Sequence, residues 1–179
     1  MIQEPIAGQS VIAADRFTLR PLRRSDAGLI AMYTADRRLA EGTRSIPHPL
    51  PPGATEAYIE RSLGAKRHED VWVIDGADRG LAEVLGVVSL SHMERGQSEI
   101  KYWVAPAFWN TGYASEAVAA VVAANPHQSR TLFAEVFQDN PGSARVLTNC
   151  GFDYLGDAEA FSVARNAIVP TWTYIKKIA

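Results

Sequence analysis

The sequence is poor in cysteine and in excess charge, and both shortages exclude broad classes of protein. Among its 179 residues, Cys150 is the one cysteine, so an internal disulfide is excluded and a reducing compartment is favoured. Its 18 Lys and Arg side chains are balanced by 20 Asp and Glu side chains, for a net charge of −2. We therefore expect no nucleic-acid partner, because such proteins usually carry a basic excess or a basic stripe.

Long apolar runs and clustered metal ligands are also missing. The longest apolar run, Ala117 to Ala124, is far too short to span a bilayer, and the start MIQEPIAGQS has no basic residue followed by an apolar core. The histidines are far apart, and no pair has the spacing of metal ligands on a helix: His48, His68, His92 and His127. We expect a cytoplasmic protein with no membrane partner and no metal.

Hydrophobic periodicity predicts one α+β domain built around a mixed sheet. Period-two stretches rich in β-branched residues alternate with stretches at helical spacing, in the order β-α-α-β-β-β-α-β-α-β-β. A stiff proline-rich loop, IPHPLPPG, separates the first two helices. The predicted strands are FTLRPL, VWVID, EVLGVVSLSHM, SEIKYWV, TLFAEVFQ, FDYLGD and TWTYIKKI; the predicted helices are DAGLIAMYTAD, TEAYIERSLGAKR, the helix that begins near Gly112, and NPGSARVLTNCG.

The stretch FWNTGYASEAVAAVV, residues 108 to 122, predicts a turn that binds a phosphate group. The first N–H groups of a helix point outward and carry partial positive charge, so they attract anions. Gly112 and Ala114 leave room for a close approach, and Asn110 and Thr111 could add polar donors. A plain turn between a strand and a helix is the alternative. Glu116 in the first helical turn also opposes an anion, unless its carboxylate points away.

Several motifs in a fixed order resemble the GCN5-related N-acetyltransferases (GNAT), in particular the RimJ/RimL-like branch that acetylates ribosomal-protein N-termini. The resemblance extends over nearly the whole chain from Phe17, and the motifs are Tyr102-Trp103-Val104, Trp109 through Ala117, Asn140 with Ser143, and Gly151-Phe152. It implies the acyl-CoA N-acyltransferase fold, a three-layer α+β arrangement. In that fold a twisted, mostly antiparallel mixed sheet of about seven strands is flanked by about four helices. The domain would occupy residues 17–179, after an N-terminal extension of residues 1–16.

The resemblance also implies where acetyl-CoA binds. It would lie between two splayed strands, one that ends at Val104 and another that begins at Thr131. Backbone N–H groups near Trp103, Val104 and Ala105 would bind the pantetheine arm and polarise the thioester carbonyl. Asn140 would bind the same arm, and Ser143 would be the acid that protonates the leaving thiolate. Helix capping is the alternative role for Asn140 and Ser143. The residues expected to bind the coenzyme are Trp103, Val104, Ala105, Asn110, Thr111, Gly112, Tyr113, Ala114 and Asn140.

The phosphate turn departs from the family pattern, because the usual Gln or Arg and a further basic residue are replaced by Trp109, Asn110 and Thr111. The turn itself therefore brings no positive charge, and coenzyme affinity is expected to be lower than is common in the family. This departure keeps a second function open, that of an acyl-CoA-binding sensor or scaffold without turnover.

The acceptor is expected to be a primary amine, in particular an α-amine such as the N-terminus of a peptide or protein or a small amine, which attacks acetyl-CoA directly in a ternary complex. Glu99, on the strand that leads to the thioester, is the candidate general base, with His92 or a water molecule as alternatives. The proline-rich loop, including His48, would contact the acceptor. No carboxylate lies between Thr43 and Thr55, which argues against polycationic acceptors. The apolar C-terminal strand could pair at the edge of a homodimer.

Overall fold

The structure, a computed structural model, describes residues 8–178, and these contain eight β-strands and five α-helices. The strands are β1 Ile12–Ala13, β2 Thr18–Pro21, β3 Glu69–Asp75, β4 Gly86–His92, β5 Gln97–Val104, β6 Thr131–Phe137, β7 Asp153–Ser162 and β8 Ala167–Lys177. The helices are α1 Ala27–Thr34, α2 Arg37–Glu41, α3 Ala54–Leu63, α4 Tyr113–Ala124 and α5 Pro141–Asn149.

All eight strands form one sheet in the order β1-β2-β3-β4-β5-β6-β8-β7. Strands β5 and β6 are parallel, and every other neighbouring pair is antiparallel. A parallel pair needs a crossover connection, and α4 supplies it. Near the start of β4, Gly86 allows close strand contact, because a Cβ there would lie 2.2 Å from the Trp103 carbonyl oxygen.

The sheet separates two apolar layers, and the alternation along β3 shows why. Val71 and Val73 pack on one face with residues of α1 and α3, whereas Trp72 and Ile74 pack on the other face in the core that also includes α4 and α5. Successive side chains of a strand point to opposite faces, so a strand that is apolar throughout serves both layers. The predicted three-layer α+β fold and the mixed sheet are confirmed.

The two elements beyond the predicted set are short. Strand β1 has 2 residues and α2 has 5, too few to produce a periodic signal in the sequence. Strand β5 is likewise divided between the two faces, since Ile100 and Val104 lie in the core beneath α4 and α5 while Trp103 packs with the opposite layer.

Residues before Phe17, the predicted start of the domain, contact the sheet. Gln9 is buried and donates a hydrogen bond to the Val71 carbonyl at 2.6 Å, Ser10 accepts one from the Trp72 indole at 2.8 Å, and β1 pairs with β2. These contacts attach residues 9–16 to the sheet. Residues 1–7, the rest of the predicted extension and most of the segment considered as a secretion signal, lie outside the described residues.

The C-terminal strand is not an edge strand. Strand β8 lies between β6 and β7 and pairs with both, so the argument for a homodimer through this strand is wrong; β7 is the free edge at this end of the sheet. Within residues 8–178, no helix combines the length and the apolar character that a membrane crossing requires.

Candidate active site

The central feature of the site is a fork between the two parallel strands. The register of β5 and β6 covers three residue pairs and stops at Glu99 and Phe133, after which β5 continues along β4 to Val104 while β6 continues along β8 to Phe137. We call this opening, past Glu99 and Phe133, the fork. Its position agrees with the expected pair of splayed strands.

The backbone of β5 presents alternate residues to the fork. The Ala105 N–H donates to the Leu85 carbonyl oxygen at 2.9 Å, so it is already used in the contact with β4. Because successive residues of a strand direct their N–H groups to opposite sides, Trp103 also points toward β4, whereas the N–H groups of Tyr102 and Val104 point toward the fork. Of the three residues expected to bind pantetheine, Val104 is the one whose N–H group remains available.

The turn before α4 has the backbone shape that the glycine predicts. We call residues 110–114 the α4 turn. Gly112 is the N-cap of α4 with φ of 82°, and Asn110 also has a positive φ, of 63°. The Glu116 N–H is the first to bond within the helix, to the Gly112 carbonyl, so the amides of Tyr113, Ala114 and Ser115 have no acceptor inside the helix. The Thr111 hydroxyl closes the turn by donating to the Phe108 carbonyl at 2.5 Å.

A cation distant in sequence reaches this turn. Arg16, between β1 and β2, pairs through its Nε with Glu116 at 2.7 Å and donates through Nη1 to the Thr111 carbonyl oxygen at 3.0 Å. Its guanidinium also lies 4.6 Å above the centre of the Tyr113 ring. The α4 turn, which has no basic residue of its own, therefore has a positive charge beside it, and no local pattern in the sequence indicates this.

At the fork, the site residues Tyr102 and Ser143 contact each other. The Tyr102 hydroxyl donates to the Ser143 carbonyl oxygen at 2.8 Å and accepts from the Ser143 hydroxyl at 3.1 Å. Burial raises the pKa of Tyr102 far above its usual value, so the phenol stays protonated at neutral pH. Asn140 caps α5 by accepting from the Ser143 N–H at 3.3 Å. The capping role of Asn140 is thus present, and it leaves the amide group's two donors for another partner.

Two carboxylates lie near the start of the fork and share one guanidinium. Arg44, from the loop after α2, pairs with Glu99 at 2.7 Å and with Glu135 at 2.9 Å. Burial on its own would lower the pKa of Arg44, but the two carboxylates outweigh it and raise the pKa. Glu135 also accepts from the Thr171 hydroxyl at 3.0 Å, so both of its oxygens are engaged. Among the described residues, Glu99 has a partner at Oε1 only.

Beside the fork lies a cavity of about 620 Å³. Strands β4, β5 and β6 form its floor, and α1, α3 and the proline-rich loop form its walls. Glu69 and Glu135 contribute carboxylates, and each is paired with a cation, Glu69 with Lys101 at 2.7 Å. The apolar lining consists mainly of Ile30, Ile46, Pro47, Leu50, Ala54, Ala57, Val87, Ile100, Trp103, Val136 and Phe137.

Of the predicted catalytic and acceptor-binding residues, Ser143 lines this cavity, whereas Glu99, His48 and the alternative base His92 do not. His48 precedes a cis peptide bond to Pro49, and its Nδ1 is buried without a hydrogen-bond partner among residues 8–178, while its neighbour Pro47 does line the cavity. His92 pairs with Ser98, before the fork opens, and its ring stacks on His127 at 3.6 Å. These positions argue against His92 as the general base.

His92 instead lies, exposed, beside a partly buried polar cluster at the closed end of the parallel pair. His127 contacts Asp70 through Nε2 at 2.7 Å and the Ser98 hydroxyl through Nδ1 at 3.1 Å. Ligand-type atoms of Asp70, His92 and His127 lie within 4.8 Å of one another. The two imidazole planes are stacked 6° from parallel, so their in-plane lone pairs cannot converge on one ion in this arrangement.

Comparison with known proteins places the chain beside acetyltransferases. A family model described as "Acetyltransferase (GNAT) domain" matches residues 16–153. The uncharacterized N-acetyltransferase YoaA of Bacillus subtilis (strain 168) is 28% identical over 154 residues, which cover 82% of this chain and 84% of YoaA.

Two solved structures share the fold over nearly their whole length. The Microcin C7 self immunity acetyltransferase MccE, in complex with acetyl-CoA and AMP, has a TM-score of 0.79 at 16% identity and covers 92% of this chain and 93% of its own. RimL, a ribosomal L7/L12 alpha-N-protein acetyltransferase in complex with coenzyme A, has a TM-score of 0.78 at 18% identity. The match covers 94% of this chain and 98% of RimL.

Proposed function

Since this chain belongs to the GNAT family and is an acetyl-CoA-dependent acyltransferase, we propose that its acceptor is a primary amine, above all the α-amine of a peptide or protein N-terminus. The observation that carries the proposal is the fork, which places the Tyr102–Ser143 pair and the Arg44-bridged carboxylates beside a mostly apolar cavity. Acetyl-CoA would enter the fork, the amine would enter the cavity, and transfer would occur directly between them.

The coenzyme would be held along β5, α4 and α5. Its diphosphate would accept hydrogen bonds from the amides of the α4 turn, where the helix dipole favours an anion. The pantetheine arm would bind the free Val104 N–H and the side-chain amide of Asn140. A backbone N–H directed at the thioester oxygen stabilises the oxyanion of the transition state, and one well-placed donor of this kind contributes about 2.7–4 kcal/mol.

The chemical step begins when the neutral amine attacks the thioester carbonyl carbon. A C–N bond forms, the carbonyl oxygen becomes an oxyanion and the nitrogen becomes positively charged. The nitrogen then loses one proton to the general base, and the C–S bond breaks as the carbonyl re-forms, which leaves an amide and a thiolate. Ser143 is the group proposed to supply a proton to the departing thiolate, and it would regain one from solvent. Tyr102 is a positioning residue for it, because the phenol holds both the hydroxyl and the carbonyl oxygen of Ser143.

The ease of obtaining a neutral amine favours an α-amine. A lysine side chain is neutral about once in 2,500 molecules at pH 7, a cost of about 4.6 kcal/mol, whereas an α-amine costs only about 1–1.4 kcal/mol. A weak base therefore suffices. Glu135 lines the cavity and Glu99 does not, but both oxygens of Glu135 are engaged, whereas one oxygen of Glu99 has no partner among the described residues. Glu99 therefore fits the role better, with a water molecule relaying the proton from the amine.

The charges of the cavity argue against polyamines. A polycation needs several carboxylates that it can approach, yet both carboxylates that line the cavity are already neutralised, Glu69 by Lys101 and Glu135 by Arg44. The apolar wall suits instead the first side chain of a peptide, next to the reacting α-amine.

The test is calorimetric titration with acetyl-CoA, followed by thiol release in the presence of an amine panel. The panel contains short peptides with free N-termini, the same peptides with blocked N-termini and one lysine, and spermidine. Turnover restricted to free N-termini is the expected result. Turnover with blocked lysine peptides or spermidine alone would refute the proposed acceptor. Binding without thiol release from any of the amines would favour the second function, an acyl-CoA sensor.

A further inference from the structure

The Arg16–Glu116 ion pair lies where the coenzyme diphosphate is proposed to bind. Both oxygens of the Glu116 carboxylate are engaged by Arg16, Oε1 by the side-chain Nε at 2.7 Å and Oε2 by the backbone N–H at 2.9 Å. The two residues are 100 positions apart in the chain, so the pair connects the start of the sheet to the first turn of α4.

The remaining donors of Arg16 point at the α4 turn. Nη1 donates to the Thr111 carbonyl oxygen at 3.0 Å, and Nη2 lies 3.3 Å from the position that a Cβ on Gly112 would occupy. The Tyr113 ring supports the guanidinium from one side. With 43% of the Arg16 side chain exposed and three contacts fixing it, the cation is held at the turn without being sealed from a ligand.

An unneutralised Glu116 would oppose coenzyme binding. A carboxylate in the first turn of a helix is favourable for the empty helix, because it interacts with the positive end of the dipole. For a diphosphate that uses the same helix end, however, the carboxylate is a like charge, and the α4 turn has no basic residue of its own to offset it.

We propose that Arg16 is a positioning residue for acetyl-CoA: it neutralises Glu116 and fixes the α4 turn, so that the free amides of the turn can accept a diphosphate. This inference rests on the proposed function, because it assumes that the coenzyme diphosphate binds at the α4 turn. It assigns to Arg16 the positive charge that related turns carry within their own sequence.

The test is a double-mutant cycle on the dissociation constant and KM of acetyl-CoA, with Arg16→Met, Glu116→Gln and the double variant. Arg16→Met should raise both constants about tenfold, or about 1.4 kcal/mol, because it leaves Glu116 unpaired. Glu116→Gln should bind acetyl-CoA at least as tightly as the wild type, because Arg16 remains and the amide oxygen of the new side chain can still accept a hydrogen bond from the Arg16 Nε. The double variant should recover most of the acetyl-CoA affinity that Arg16→Met loses. Arg16→Lys should keep part of that affinity.

Three further measurements separate the effect of charge on acetyl-CoA binding from any effect of the substitutions on folding. Thermal melts identify any variant that loses structure. The kcat at saturating acetyl-CoA should change far less than KM in Arg16→Met, and the affinity difference from the wild type should shrink at high salt. The matched control is Arg24→Met with Glu60→Gln, a surface pair with a 2.6 Å contact, which should leave the acetyl-CoA constants unchanged.

The outcomes distinguish this inference from the proposed function. If wild-type protein does not bind acetyl-CoA, the proposed function fails. If the wild type binds and folded Arg16→Met binds equally well, the role of Arg16 is refuted. If Glu116→Gln weakens binding as much as Arg16→Met does, or the double variant recovers nothing, the pair acts as a structural clamp and the neutralisation argument is overturned.

Discussion

Replacing Tyr102 by Phe tests whether the phenol acts through Ser143. The substitution removes one partly buried oxygen that makes two hydrogen bonds, both to Ser143. An intramolecular hydrogen bond contributes about 0.5–1.5 kcal/mol net, so we expect Tyr102→Phe to lower the free energy of unfolding by about 1–3 kcal/mol. For a chain of this size, each kcal/mol corresponds to about 2–4 °C in Tm.

The effect on turnover separates a positioning role from an independent one. If Ser143 protonates the leaving thiolate, Ser143→Ala should reduce kcat by about 10²-fold, within the range for a general acid. Tyr102→Phe should reduce kcat less, by about tenfold, because the serine hydroxyl remains but is no longer held. In the Ser143→Ala background, adding Tyr102→Phe should then change kcat very little.

The assay is steady-state thiol release at saturating acetyl-CoA, with chemical unfolding of each variant at the same pH. Tyr154→Phe is the matched control, since Tyr154 is exposed on β7 and its hydroxyl contacts only Asp157 among the described residues. Strictly additive losses of kcat in the double variant would refute the positioning role. An unchanged kcat in Ser143→Ala would refute the proposed acid.

Three other predictions concern the turn, the base and the pH dependence of stability. Gly112→Trp should weaken acetyl-CoA binding at least tenfold in titration calorimetry. The control is Gly80→Trp, which has the same backbone strain at φ of 72° but lies in open space and should not weaken binding. Equal acetyl-CoA affinities of the two variants would place the diphosphate elsewhere. Glu99→Gln should reduce kcat about 10²-fold and Glu135→Gln much less, and the reverse order in thiol-release kinetics would exchange their roles. Partial desolvation and the neighbouring imidazole of His127 lower the pKa of His92, so the unfolded chain binds more protons and stability should fall as the pH drops below about 6.5, the usual pKa of histidine. In denaturant titrations, His92→Gln should make that fall shallower, and an identical slope would contradict the assignment.

The sequence predicts the elements of this fold well where each element is long enough to repeat its pattern. The alternation of β3 and β5 and the helix after Gly112 are confirmed, because hydrophobic periodicity depends on neighbours along the chain. The short β1 and α2 lack such a pattern. The position of β8 inside the sheet also has no local signature, because strand order depends on how the C-terminal hairpin inserts beside β6.

The site is less predictable, because its important contacts join distant parts of the chain. The motif around Ser143 identifies that residue, yet its contact with Tyr102 connects residues 41 positions apart. Arg44 reaches Glu135 across 91 positions, and Arg16 reaches Glu116 across 100. A single sequence records none of these pairings. It showed correctly that the α4 turn has no basic residue, but it could not show that the fold places Arg16 beside it.

The fork also divides the sheet into two halves that few contacts join. Three backbone register pairs join β5 to β6, and Arg44 adds a side-chain clamp by holding one carboxylate on each strand. Beyond that point each strand has one unpaired edge, as if a strand had been left out of the sheet. A pantetheine arm in the fork would supply part of the hydrogen bonding that is missing between β5 and β6. The coenzyme would therefore be an exchangeable structural component of the sheet as well as a reactant. Cohesion between the two halves of the sheet would then rise with coenzyme concentration, as ligand linkage requires.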